Sequence, residues 1–180
     1  MTAFIAMIRG INVGGRRRIP MDGLVTLFTS LGFTNVGTCV QSGNVIFSST
    51  DSNPEDLAAK IEREILKTFD FTVRAILRSS DEMQGVVTGN PFLKEVGVNT
   101  GALHVTFLSD TPPRSLADIL GSAEDGADRY VLIGKEVYLS CPDGYGRTKF
   151  SNTFFEKKLK IAATTRNWKT VIALGRITGE

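Results

Sequence analysis

Three consecutive arginines, Arg16-Arg17-Arg18, follow the stretch Arg9-Gly10-Ile11-Asn12-Val13-Gly14-Gly15. Guanidinium groups are permanently charged, planar forks of N–H donors, and glycines leave backbone N–H groups unshielded. The mixture suits capture of a phosphate or a carboxylate. Gly10 and Gly15 have the spacing of the glycines in a phosphate loop, but Arg16-Arg17 stand where Lys-Ser/Thr is required. The next helix also begins only near Pro20, so a nucleoside-triphosphatase P-loop is excluded. The loop can still cradle an anion with its glycine N–H groups and Arg9. The preferred reading is that the glycines serve tight turns and that Arg16-Arg17-Arg18 form a solvated face.

Two other stretches carry polar groups in concentrated form. Gln41-Ser42-Gly43-Asn44 follows a strand-like run, and a tight hairpin accounts for Gly43 and Asn44 but not for Gln41 or Ser42. Thr164-Thr165-Arg166-Asn167 precedes the last helix, where unpaired N–H groups and the positive dipole end favour an anion. Arg166 is weighed there between a ligand contact and an internal ion pair. The candidate ligand-binding set is Arg9, Gly10, Asn12, Gly14, Gly15, Gln41, Ser42, Asn44, Arg166 and Asn167, with Arg9 and Arg166 expected within reach of one pocket.

No catalytic residue emerges. His104 is the only histidine, which excludes HExxH zinc chemistry and any other site that needs two. There is no GxSxG nucleophile motif, so a packed strand histidine is the preferred reading. Cys39 and Cys141 lack CxxC spacing and read as small buried hydrophobes. The acids gather mid-chain with no paired motif beside the loop. Neither a metal nor a cofactor is implied.

Apolar residues at 42% and charged residues at 22% of 180 place the chain among soluble globular proteins rather than disordered ones. Apolar runs of about five residues are far short of the roughly 20 that cross a bilayer, and Arg9 interrupts the opening run too early for a secretory leader. Two cysteines inside apolar stretches do not suggest stapling disulfides, so a cytoplasmic protein is expected. Charge is segregated. Residues 1–46 hold four bases and one acid, residues 47–146 nine bases and sixteen acids, and residues 147–180 eight bases and two acids. If the two basic ends meet, they form a positive surface that draws in an anion; the alternative is two solvated ends.

Hydrophobic spacing supplies the scaffold. Phe4–Ile8 reads as a buried strand, and Met21, Leu24, Val25, Phe28 and Leu31 as one face of a helix closed by Gly32. Val36–Val40 and Val45–Phe47 form a hairpin, Asn53-Pro54 opens a helix reaching Phe69, and Thr72–Leu77 returns as a strand. A short helix over Asp81–Val87 and the turn Gly89-Asn90-Pro91 follow. Then come a strand over Ala102–Leu108, a helix over Ser115–Leu120, a hairpin of Arg129–Ile133 with Glu136–Leu139, and a helix capped by Ser151. The order is β-α-β-β-α-β, then β-α-β-β-α and a terminal helix on which Trp168, Val171, Ile172 and Gly175 share a face. The expected fold is α+β, with two ferredoxin-like (βαββα) repeats on antiparallel sheets and an additional C-terminal helix. The halves are expected at 1–78 and 101–180, joined by a connecting segment at 79–100.

Three passages together carry a family resemblance. They are Arg9-Gly10-Ile11-Asn12-Val13-Gly14-Gly15 with Pro20-Met21, then Gln41-Ser42-Gly43-Asn44-Val45, and finally Phe154-Phe155-Glu156 through Ala162-Ala163-Thr164-Thr165-Arg166-Asn167-Trp168. On these the chain resembles the bacterial family named domain of unknown function 1697. The resemblance implies an α+β fold with two ferredoxin-like halves and implies no reaction.

The expected function is binding of a small phosphate- or carboxylate-bearing ligand at the loop after the first strand, with no reaction assigned. A nucleic-acid-binding module is the second hypothesis, but the opening strand offers only Phe4 and no RNA-recognition run of aromatics. Self-association through sheet edges or helix faces is the third. No membrane partner is expected, and the sequence specifies no oligomeric state.

Overall fold

The opening apolar run is buried on both of its faces, which is why it reads as continuous rather than alternating. In the computed structural model, which describes residues 1–40 and 43–177, it lies within strand β1 (Thr2–Arg9). The chain continues through α1 (Met21–Ser30), β2 (Thr34–Cys39), β3 (Asn44–Ser49), α2 (Pro54–Phe69), β4 (Arg74–Ser79) and α3 (Ser80–Thr88). After two short 3-10 turns come β5 (Leu103–Leu108), α4 (Arg114–Leu120), β6 (Ser122–Asp125), β7 (Asp128–Ile133) and β8 (Glu136–Ser140). A third such turn leads to α5 (Asn152–Leu159), β9 (Ala163–Asn167) and α6 (Trp168–Ile177). The fold is mixed α+β with two antiparallel sheets.

Residue contacts divide the chain into two units. One holds Met1–Gln84 with the C-terminal residues from Ala173 on, and the other holds Gly85–Ile172. In the first, the sheet order is β2-β3-β1-β4, and the register sets Phe4 opposite Phe47 and Arg9 opposite Arg74. Phe4, Ala6, Ile8, Val45, Phe47, Ala75 and Leu77 share one face and pack with Leu24, Leu27 and Phe28 of α1 and Leu57, Ile61 and Ile65 of α2. Asn53 caps α2 by accepting from the N–H groups of Glu55 (3.0 Å) and Asp56 (3.3 Å), and Asp70 ends the helix in the left-handed region. A reciprocal capping box that the sequence reading missed starts α3. Ser79 Oγ accepts from Glu82 N–H (3.2 Å), and Glu82 Oε2 accepts from Ser79 N–H (2.8 Å).

The second unit has the order β6-β7-β8-β5-β9, with Leu139, Tyr130, Phe150, Phe155 and Leu159 in its core. Two of its strands lie outside the β-α-β-β-α expectation. The first, β6, is Ser-Ala-Glu-Asp, without the apolar alternation that marks a strand, and it exists through pairing with β7. The second, β9, covers residues 163–167, of which the sequence assigns 164–167 to the polar lead into the last helix. Pairing with β5, which sets Thr165 opposite Thr106 and Arg166 opposite Val105, overrides the local reading. Among the described residues, no helix is long and apolar enough to cross a membrane.

Candidate functional site

The loop leaving β1 is anchored at both ends by buried side chains, Ile11 (2% exposed) and Ile19 (1%). Between them the chain folds back as a short hairpin. Asn12 N–H donates to Arg17 O (3.2 Å), Arg16 N–H donates to Val13 O (3.3 Å), and Val13 bridges Arg16. Gly14 and Gly15 occupy its two central positions at φ 61° and 73°, the positive values a primed hairpin turn demands. The turn thus calls for glycine at both positions.

Asn12 fastens the stem. Its Nδ2 donates to Ile19 O (3.0 Å) and its Oδ1 accepts from Ile19 N–H (2.9 Å), while its own backbone is left-handed at φ 57°. The side chain singled out for ligand contact is thus engaged in closing the loop on itself. The β2–β3 turn supports this stem. Gly43 O accepts from Ile8 N–H (2.9 Å), and a Cβ at Gly43 would stand only 2.9 Å from both Cγ1 and Cδ1 of Ile11. Only glycine fits against Ile11 there, so two of the motifs noted in the sequence meet at one place in the first unit.

Against the fastened stem lies a cavity of about 520 Å³, lined by Asn12, Gly15, Arg18, Ile19, Pro20 and Met21. Arg16, Arg17 and Arg18 are exposed, and among the described residues none of the three guanidiniums meets a carboxylate. Pro20 precedes α1 without a side-chain hydrogen bond to the helix's first N–H groups. From sequence, the preferred reading of Arg18 is a solvated face. The detectable signal was the arginine two residues before a proline that opens a helix without a capping Ser, Thr, Asp or Asn.

The other sequence candidates have traceable placements. Arg9 ends β1, half-buried, opposite Arg74, and Gly10 follows at φ 74°. Asn44 is fully buried and its Nδ2 donates to Cys39 O (3.1 Å), which ties the base of the hairpin. Gln41 and Ser42 lie outside the described residues. In the second unit, Asn167 Oδ1 accepts from Thr170 N–H (2.9 Å) and so caps α6. Arg166 sits within β9 at 8% exposure, donating to Thr164 Oγ1 (2.7 Å) and Thr165 O (3.0 Å), and burial pushes its guanidinium down to about 10.

A second cavity, about 440 Å³, is lined by Phe92, Glu95, Arg129 and Tyr130 among others. Its arginine is already committed: Arg129 makes two 2.8 Å bonds to Glu95 and stacks 4.8 Å from the Phe92 ring centre. The contrast with Arg16–Arg18 selects the loop as the candidate site.

Sequence reasoning missed one polar cluster in the second unit. Thr165 Oγ1 donates to Asn152 Oδ1 (2.7 Å) and lies 3.0 Å from Tyr145 Oη and 2.7 Å from Thr106 Oγ1. Having spent its one proton on Asn152, Thr165 accepts from both other hydroxyls and is saturated. His104 stacks on Tyr145 at 5.2 Å between ring centres, and burial holds its imidazole below the usual histidine range.

The sign of the resulting pH dependence follows. Above the unfolded value of about 6.5 the ring is neutral in both states. As pH falls through that value, the unfolded chain takes up a proton that the folded unit refuses, so stability declines toward acid. Urea midpoints followed by Trp168 fluorescence are expected to fall between about pH 7 and 5, and His104→Gln is expected to flatten that slope. His104 is the only histidine, so a slope that persists in the variant would refute this assignment.

Cys39 and Cys141 are buried free thiols, both pushed up by burial, Cys141 to about 11. Among the described residues, no group of three or more His, Cys, Asp or Glu is placed to hold a metal ion.

Comparison with known proteins bears on the fold and the family. The solved structure of a conserved bacterial protein from Streptococcus pneumoniae is similar to this chain with a TM-score of 0.76 and 21% identity, covering 100% of this chain and 99% of that one. A likeness at that identity carries the fold alone. No curated protein matches the chain. The family described as protein of unknown function (DUF1697) matches residues 1–138.

Proposed function

The chain belongs to the DUF1697 family, whose description assigns no reaction, and from the geometry of its own loop we propose that it binds a small phosphate- or carboxylate-bearing ligand. The site is the cavity at the loop after β1, with Arg18 as its charged group and Gly15 and the Asn12-fastened stem as its wall. The observation that carries this reading is an arginine that, among the described residues, has no carboxylate partner and lines a cavity of about 520 Å³. Arg9 and Gly10 lead into the loop and Gly14 turns it. A nucleic-acid reading finds less support, because Phe4 is 3% exposed and stacked on Phe47, leaving no aromatic of β1 for a base.

The same reading takes each unit as a ferredoxin-like repeat. It is supported by the order β2-β3-β1-β4 and the parallel succession β7-β8-β5-β9, with the halves at 1–78 and 101–180 and the connecting segment between. It takes the protein as cytoplasmic, supported by two buried free thiols.

The test is calorimetric titration with inorganic phosphate at fixed ionic strength. Phosphate is expected to bind the wild type, and Arg18→Ala to weaken binding by about 10- to 100-fold, the loss of one charged hydrogen-bonded contact of about 1.5–3 kcal/mol. The melting temperature should stay nearly unchanged, because among the described residues Arg18 makes no ion pair. Unchanged affinity in Arg18→Ala would refute the site.

A further inference from the structure

A cavity of about 520 Å³ exceeds what an inorganic anion fills and falls in the range that holds a whole small molecule. We propose that the ligand of this site is a monocarboxylate with an apolar body, its carboxylate on Arg18 and its body against Pro20 and Met21. This rests on the anion reading above and names the ligand class.

The head group follows from the donors that the lining offers. Asn12 is committed through both ends of its amide to the Ile19 backbone, and Gly15 has no side chain. Among the described residues of the lining, Arg18 is the one charged side chain, and no Lys, Ser or Thr stands beside it. Its Nη2 lies 3.8 Å from the place where a Cβ on Gly15 would stand, so the guanidinium rests against bare backbone. One guanidinium fork satisfies both oxygens of a carboxylate in a single plane. A phosphoryl group brings three acceptor oxygens and a charge of about −1.5 to −2, and one fork leaves part of that unmet once water is displaced. Asp22, which follows Met21 in the first turn of α1, adds a negative charge that opposes a dianion.

The body follows from the rest of the wall. Ile19 is buried and its side chain is spent on the core, so Pro20 and Met21 supply the apolar surface left to a ligand. Pro20 is exposed, and Met21 is half-buried against the core of the first unit. One is a rigid ring and the other a flexible thioether, whose sulfur makes favourable contacts with aromatic edges. Both line the same cavity as Arg18, so one molecule with an acid at one end and a ring at the other meets all three.

The experiment titrates the full chain calorimetrically with inorganic phosphate, acetate, phenyl phosphate and 3-phenylpropionate at one ionic strength. In the wild type, 3-phenylpropionate is expected to bind about tenfold or more tightly than acetate, through burial of its ring. It should also bind more tightly than phenyl phosphate, which carries the same ring on a phosphoryl head. Met21→Ala should bring the ratio of 3-phenylpropionate to acetate affinity toward one, and Met21→Leu, which keeps the volume, should restore it. A variant that merely loosens the fold would lower both affinities and leave their ratio in place. Arg18→Ala should weaken every ligand. If phosphate or acetate binds through Arg18 but the ring adds nothing, or its gain survives Met21→Ala, the inference is overturned and the anion reading stands. Tighter binding of phenyl phosphate than of 3-phenylpropionate also overturns it, in favour of a phosphoryl ligand. If none of the four binds, the anion reading falls and this inference with it.

Discussion

Phe47→Ala is expected to cost about 3–5 kcal/mol of folding stability, the range for truncating a buried aromatic without collapse of the site. Phe47 is fully buried, with ring-centre distances of 4.5 Å to Phe33, 5.3 Å to Phe28 and 5.7 Å to Phe4. Three elements meet on that ring: β1 through Phe4, its register partner, α1 through Phe28, and the turn before β2 through Phe33. No single neighbour can move into the space without breaking its own packing, so the cavity term adds to the lost transfer energy. Phe47→Leu retains much of the volume and is expected to cost well under half as much. Urea unfolding followed by far-ultraviolet circular dichroism measures the difference. A Phe47→Ala midpoint close to wild type would show that the aromatic cluster is not what holds the first sheet to its helices.

Asn12→Ala is expected to release the loop stem and abolish anion binding. Two hydrogen bonds to Ile19 are lost at about 1 kcal/mol each, and alanine at φ 57° adds roughly another 1–2 kcal/mol of backbone strain. Asn12→Gly removes the hydrogen bonds but tolerates the φ, so it should recover the strain and not the binding. Asn12→Asp is the sharpest of the three. It keeps an acceptor for Ile19 N–H, cannot donate to Ile19 O, and sets a carboxylate at the wall that Arg18 shares. Hydrogen exchange at the Ile19 amide reports the stem directly, and phosphate titration reports the site. If Asn12→Ala leaves Ile19 protected and phosphate still binds, Asn12 is not the fastening that the geometry assigns to it.

Both variants act on residues whose roles differ in how far they can be read from the chain. Phe47 lies in an apolar strand with turn signals on either side, and its burial follows from pattern alone. Asn12 looks in sequence like any polar residue in a glycine-rich loop, as fit for a ligand as for a turn. Its commitment to Ile19, seven positions on, exists only once Ile11 and Ile19 are both buried in the same core. The three arginines are chemically identical in sequence, and hairpin geometry alone puts Arg18 on the cavity wall and Arg17 beside Gly10.

The chain by itself determined what depends on near neighbours. Helical spacing and the Asn53-Pro54 start specified α1 and α2, and Ser151, accepting from Phe154 N–H at 3.3 Å, starts α5 as expected. The apolar opening run announced a strand buried on both faces. Tertiary structure decided what depends on distant partners. Thr164-Thr165-Arg166 is compatible with a helix start or a strand, and β5, some 60 residues earlier, supplies the pairing that makes it β9. The hydroxyl cluster joins Thr106, Tyr145, Asn152 and Thr165 across as many as 59 positions, a spacing no local pattern encodes. Periodicity reports which face is buried, because burial repeats with the geometry of the element. It carries no record of which side chain lies opposite once two elements pack.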